Sequence, residues 1–136
     1  MRKVLDAWAM LAWLQDEQPA ADKVQILLEN AEAGTSRLIM NIINVGEVYY
    51  RLAKKRGEGE AEAFLKDLKG MPIKTSPAPI KLVLEAARLK GRYKISFADA
   101  FAVATAMRQQ SPLVSGDPEL EVFIKNRIVQ IEWIGL

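Results

Sequence analysis

Histidine and cysteine are both missing from this 136-residue chain. Without imidazole or thiolate it cannot build the usual tetrahedral zinc site, a serine–histidine triad or a cysteine nucleophile. Any catalysis must therefore run on carboxylates, hydroxyls, lysines or a hard cation. Disulfides are excluded too, which is compatible with a reducing cytoplasm, the compartment expected here. Long apolar runs are also lacking. Stretches such as "AWAMLAWL" fall far short of the ~20 residues of a membrane span, so no membrane association is expected. The opening "MRKVLDAWAMLAWL" has a basic start and an apolar stretch, but Asp6 interrupts it and no small-residue cleavage site follows; it reads as a strand running into a helix. Nor is there a strong charge bias, since the formal net charge is +2. That value alone does not announce a nucleic-acid binder.

What is present is the make-up of a globular protein, with 50% hydrophobic and 26% charged residues. The length suits one domain spanning residues 1–136, with an ordinary hydrophobic core. Short β-rich runs ("KVLD", "RLIMN", "MPIKTS", "PLVSG", "IVQIEWI") alternate with helical patterns: "AWAMLAWLQ", "AADKVQILLENAEA", "VGEVYYRLAKKRG", "EAEAFLKDLK", "APIKLVLEAARLKG" and "SFADAFAVATAMRQQ". A short helical turn is expected at "DPELEVF". Gly57 and Gly59 are placed to end one helix and begin the next. Strands separated by helices long enough to cross over predict a three-layer α/β/α sandwich around a central, mainly parallel sheet of about five strands.

Acids recur where strands hand over to helices. Asp6 ends "KVLD" before a helix. Asn44 and Glu47 in "NVGE" form the start of another, Ser96 and Asp99 in "KISFADAFAVATA" start a third, and Asp117 in "SGDPEL" precedes a proline suited to a first helical position. Capping accounts for each residue singly: "SFAD" and "NVGE" have capping-box spacing, and acids at helix starts gain roughly 0.3–1 kcal/mol from the macrodipole. A functional reading requires convergence beyond the carboxyl ends of parallel strands, the usual ligand crevice of such sheets, a placement that suits Asp6, Glu47 and Asp117, whereas Asp99 follows a helix rather than a strand. Gathered carboxylates repel and raise one another's pKa unless a cation neutralises them. With ligands that are all oxygen, Mg²⁺ or Mn²⁺ suits the set better than zinc, and no EF-hand loop recommends calcium.

In combination, "VLDAWAMLAWL", "NIINVGEVYYRL", "ISFADAFAVATA" and "LVSGDPEL" resemble, in order and over nearly the whole chain, the PIN-domain family and within it the toxin ribonucleases of the VapBC type. The resemblance implies a PIN-like fold, an acidic pocket binding Mg²⁺ or Mn²⁺, and hydrolysis of phosphodiester bonds in RNA. It maps Asp6, Glu47 and Asp99 onto the principal acids, Asp117 onto a fourth, and Asn44 and Ser115 onto polar positions beside the pocket. Asp6, Asp99 and Asp117 would hold the metal. It further implies a homodimer and a cognate VapB-like antitoxin. One departure stands out: many members carry a hydroxyl or amide residue two places after the first Asp, where this chain has Trp8.

Basic residues at Lys54, Lys55 and Arg56, and at Arg88, Lys90, Arg92 and Lys94, are candidates for phosphate contacts, but they equally suit helix C-termini. Trp8, Trp13, Tyr49 and Tyr50 have the spacing of packed aromatics. The competing function is a catalytically silent RNA-binding or regulatory module whose acids only cap helices. A phosphoryl-transfer enzyme with Asp6 as nucleophile fits less well, because Trp8 stands where its second Asp is expected.

Overall fold

The computed structural model describes the whole chain, Met1–Leu136. Five strands form one sheet: β1 (Arg2–Leu5), β2 (Arg37–Asn41), β3 (Ile73–Ser76), β4 (Leu113–Ser115) and β5 (Ile131–Trp133). Every pairing is parallel and the spatial order is β3-β2-β1-β4-β5. Seven helices fill the connections: α1 (Ala7–Leu14), α2 (Ala20–Glu32), α3 (Ile42–Arg56), α4 (Glu58–Leu68), α5 (Ile80–Arg92), α6 (Phe97–Gln109) and α7 (Glu121–Asn126), the last preceded by a 3₁₀ turn at Pro118–Leu120. None is long and apolar enough to cross a membrane.

The two-residue period of the strands divides the core into two layers. Leu5, Leu38, Met40 and Val114 point into one, packed against α1 to α4; Val4, Ile39 and Leu113 point into the other, packed against α5, α6 and the α7 region. The three-layer parallel sandwich expected from the sequence is therefore the architecture observed. Apolar strands are needed because both faces of the sheet are covered.

Helix α6 is buried nearly all round, with Ala100, Phe101, Ala102, Val103, Ala104 and Ala106 all at 2% exposure or less. A helix apolar on every side belongs inside, and its alanines let it approach the sheet, α5 and α3 closely. This central position carries Asp99, at its N-terminal end, into the interior.

Two local expectations change. The third helix begins at Ile42, capped by the Asn41 side chain accepting from the Ile43 amide, so Asn44 is not a cap and Glu47 lies in the second turn rather than at the helix start. Asn41 ends β2 with its backbone still extended, the geometry an N-cap requires. Only Gly57 separates α3 from α4, through a φ of +96° that favours glycine; Gly59 lies inside α4.

Candidate active site

The sheet order reverses beside β1, whose neighbours are β2 and β4. Beyond the carboxyl ends of β1 and β4 lies the crevice that such a switch point leaves between flanking helices. Asp6 follows β1 directly and is fully buried. Its Oδ1 accepts from the Ala9 amide, capping α1, and its Oδ2 accepts from the Ser115 hydroxyl. Ser115, also fully buried at the end of β4, takes the Asp117 amide on the same oxygen at 3.0 Å. One hydroxyl thus joins the first acid to the loop that carries the fourth.

That loop is pinned by its apolar residues. Leu120 and Phe123 are both completely buried, and the Phe123 ring lies 4.9 Å from that of Tyr93. Asp117 caps the 3₁₀ turn by accepting from the Glu119 amide at 2.9 Å, with Pro118 at the first helical position, as its sequence context predicts.

At α6 the expected capping box is only half formed. Ser96 Oγ accepts from the Asp99 amide, but the Asp99 carboxylate does not reach back. The Ser96 amide donates instead to Glu119 Oε1, at 3.0 Å, from across the fold. Glu119 takes over the duty that local spacing gave to Asp99, and the Asp99 carboxylate turns to the crevice. Carboxylate oxygens of Asp99, Asp117 and Glu119 all lie within 4.8 Å of one another, a spacing suited to one cation. This trio differs from the expected metal set of Asp6, Asp99 and Asp117 by containing Glu119 in place of Asp6, whose two oxygens are engaged. Glu119 was readable as an acid two places after Asp117, but nothing local marks its reach to Ser96.

Glu47 comes in from α3. One oxygen accepts from Arg51 Nε at 3.0 Å in an i,i+4 ion pair; the other, Oε1, is buried without a partner. Asn44, one turn earlier and fully buried, donates to the Ala98 carbonyl at 3.0 Å and so ties α3 to the start of α6. Asp99 and Glu47 are therefore acids that helix capping does not explain.

Electrostatics match this crowding. Burial pushes the Asp6 carboxyl up to about 7, against the hydrogen bonds from Ser115 and Ala9, with Asp117 and Glu47 adding repulsion. Burial also raises Asp99, to about 9, and Glu119, Asp117 and Asp6 add to it. Glu119 is lowered, chiefly through Asp99 and the Ser96 amide. Glu47 is raised by burial, partly offset by Arg51. A cavity of about 680 Å³ opens over the group; Glu47, Asp99, Asp117 and Glu119 line it together with Trp8, Arg51, Lys54 and Lys55. Asp6 and Ser115 lie beneath it.

The PIN domain family model matches residues 3–125. The chain belongs to the PIN domain family. No curated protein sequence matches it. Among solved structures this PIN domain is similar to VapBC2 from Rickettsia felis bound to a DNA fragment from its promoter, with a TM-score of 0.71 at 14% identity over 97% of this chain and 98% of that one. It is also similar to VapC20 from Mycobacterium tuberculosis, a sarcin-ricin loop cleaving toxin (TM-score 0.72, 13% identity, 88% and 93% covered). A third is DNA-bound VapBC from Salmonella typhimurium (TM-score 0.70, 12% identity, 97% of each chain). At such identities the likeness speaks for the fold, a PIN fold of the VapC kind.

Proposed function

We propose that this PIN domain is a Mg²⁺- or Mn²⁺-dependent endoribonuclease, the toxin of a toxin–antitoxin pair. The observation that carries the reading is the Glu47 Oε1 atom, buried and unpartnered beside three further carboxylates whose oxygens crowd together. A buried unpaired acceptor among like charges is costly unless positive charge completes the site. The donors are all oxygen, which fits a hard divalent cation. Asp99, Asp117 and Glu119 would hold it, with Asp6 supporting from below. Such a cation supplies charge neutralisation at a scissile phosphate and lowers the pKa of an attacking water.

The chain's own groups account for the rest. Glu47, its affinity for protons raised by burial, is suited to accept one from the attacking water through Oε1. Arg51 fixes its rotamer through the other oxygen. Ser115 holds Asp6 and the Asp117 backbone in register, and Asn44 keeps α3 at its distance from α6. Water adds to phosphorus, a P–O bond of the backbone breaks, and the departing oxygen takes a proton.

The solved neighbours bear on partners. Several are toxin–antitoxin complexes, which supports a VapB-like antitoxin as partner; an antitoxin covering this crevice and a homodimeric toxin are what the family resemblance implies. The test is incubation of the purified protein with a pool of structured RNAs in Mg²⁺, Mn²⁺ or EDTA, beside Asp6→Asn and Asp99→Asn. Cleavage that needs the metal and both acids is expected. Equal cleavage by all three proteins overturns the mechanism, and binding without cleavage in every condition leaves the silent module as the better reading.

A further inference from the structure

Both edges of the sheet are open, since β3 and β5 each pair with one strand only. They differ in what surrounds them. At β5 the carboxylate of Glu132 is already taken by Lys3, at 2.6 Å. Beside β3 lies a groove of about 550 Å³, between the start of α3, the last turns of α4 and the strand itself. Its apolar lining is Ile42, Val45, Leu65, Leu68 and Ile73, with Thr75 next to them on β3. Val45, Leu68 and Ile73 are buried, but Ile42 is left 44% exposed, more than its neighbours in the fold can cover.

The main chain of β3 adds a second element. Successive residues of a strand turn their N–H and C=O groups to opposite sides, so half of those in Ile73–Ser76 point away from β2. None of the main-chain hydrogen bonds made outside the regular elements involves Lys74, Thr75 or Ser76. The outward groups of these residues are free to pair with a further strand.

Charge selects among strands. Lys66 and Lys69 rim the groove from α4, while Lys74, between Ile73 and Thr75, projects from the opposite face of β3. No carboxylate lies within ion-pairing distance of any of the three. The one acid of the lining, Glu62, stands beside Tyr49, whose phenol is raised first by burial and then by Glu62. A second copy of this chain pairing β3 with β3 would bring like lysines together, the usual device by which an edge avoids its own kind. A strand carrying carboxylates meets no such repulsion.

We propose that β3 and its groove dock an extended acidic peptide of a partner protein, added as a sixth strand. Every second side chain of that strand faces the groove, where apolar residues cover Ile42 and Leu65 and a flanking acid reaches Lys66 and Lys69; acids on its other face meet Lys74. The groove shares no lining residue with the cavity over the acids, so the peptide and the crevice are occupied independently.

Fluorescence anisotropy with the full chain tests this, using the dye-labelled, end-capped peptide Glu-Glu-Val-Glu-Ile-Glu-Glu. Binding is expected, and the counterpart with lysine for every glutamate is expected to bind at least roughly tenfold more weakly. Two N-methylated forms, one blocking the valine and isoleucine amides and one the alternate glutamate amides, probe the main chain of the peptide while leaving the protein untouched. Only one set of amides faces β3, so one form is expected to lose binding and the other to keep it. Lys66→Glu/Lys69→Glu, both on the surface, should weaken binding at least roughly tenfold. Ile42→Ser should weaken it roughly 4- to 12-fold, the loss from half-burying one isoleucine. Amide exchange at Lys74–Ser76, followed by NMR, should slow when the peptide is added. Absence of binding, equal binding of the lysine peptide, the same result from both N-methylated forms, or unchanged exchange at β3 overturns the proposal. So does a dimer in sedimentation that the peptide fails to dissociate and that Lys74→Glu disrupts, which would give the edge to a second copy.

Discussion

Asp6 and Asp99 invite comparison because each stands at the start of a helix that packs on the same sheet. Asp6 caps α1 with its own carboxylate and gives its other oxygen to Ser115. Asp99 caps nothing: Ser96 holds its amide, Glu119 holds the Ser96 amide, and the carboxylate is left to the crevice. The same residue type in nearly the same local setting is spent on a cap in one place and turned to the crevice in the other. What separates them is a third residue supplied from a distant part of the chain.

The sharpest way to break the comparison is to neutralise each acid in turn. Asp99→Asn removes from the proposed metal group a carboxyl that lies against Glu119 and Asp117. Cleavage in Mn²⁺ is expected to fall by several kcal/mol of transition-state stabilisation, roughly 10³-fold or more, with calorimetry recording lost Mn²⁺ binding. Retained binding would return Asp99 to the role of a buried structural acid.

Asp6 is expected to appear most clearly in stability against pH. Its folded pKa of about 7 lies above the ordinary value of 3.8, so the stability contributed by its protonated form is complete below pH 4 and is lost as pH rises through 7. The full swing corresponds to about 4 kcal/mol, a ceiling for a wholly buried group. Urea unfolding of metal-free Asp6→Asn from pH 4 to 8 should fall less steeply than the wild type, keeping the decline due to Asp99, and show the higher stability at pH 8. Asp99 extends the decline of the wild type toward pH 9. Added Mn²⁺ should restore wild-type stability most at the alkaline end, where protons no longer compete.

Ser115→Ala deletes the hydroxyl that serves both Asp6 and the Asp117 amide, leaving a buried carboxylate oxygen and a backbone amide short of partners. A loss of about 1–3 kcal/mol is expected in urea, with the Asp6 midpoint moving further up. The smallest effect sharpens the comparison at α6. Glu119→Gln keeps an acceptor for the Ser96 amide, whereas Glu119→Ala removes it at a cost of about 1 kcal/mol. If both variants bind Mn²⁺ as the wild type does, Glu119 only positions α6; if both bind weakly while Gln keeps its stability, it also holds the ion.

Much of this arrangement could be read before folding. Strand and helix order followed from hydrophobic period, and the acids of "VLDA", "SFAD" and "SGDP" were visible at element boundaries. The boundary at "NIINVGE" misled because Asn44 with Glu47 imitates a capping box, while Asn41, at the end of an apolar strand run, reads as part of the strand. Glu119 escaped notice for a related reason: its partner is 23 residues away, and no spacing rule reaches that far. Trp8 looked like core, and it does pack on the core, but its position beside the acids depends on the missing Cβ of Gly116.

Composition and period by themselves determined that this chain makes a covered parallel sheet and that its chemistry is confined to oxygen and ammonium groups. These properties arise from side-chain identity and from interactions among neighbours along the chain. Which carboxylates meet, which one is spent on a cap and which lysines stay unpaired were decided only when β1 settled between β2 and β4. That choice depends on closing long stretches of chain around two apolar layers, and contacts between residues so far apart leave no periodic trace.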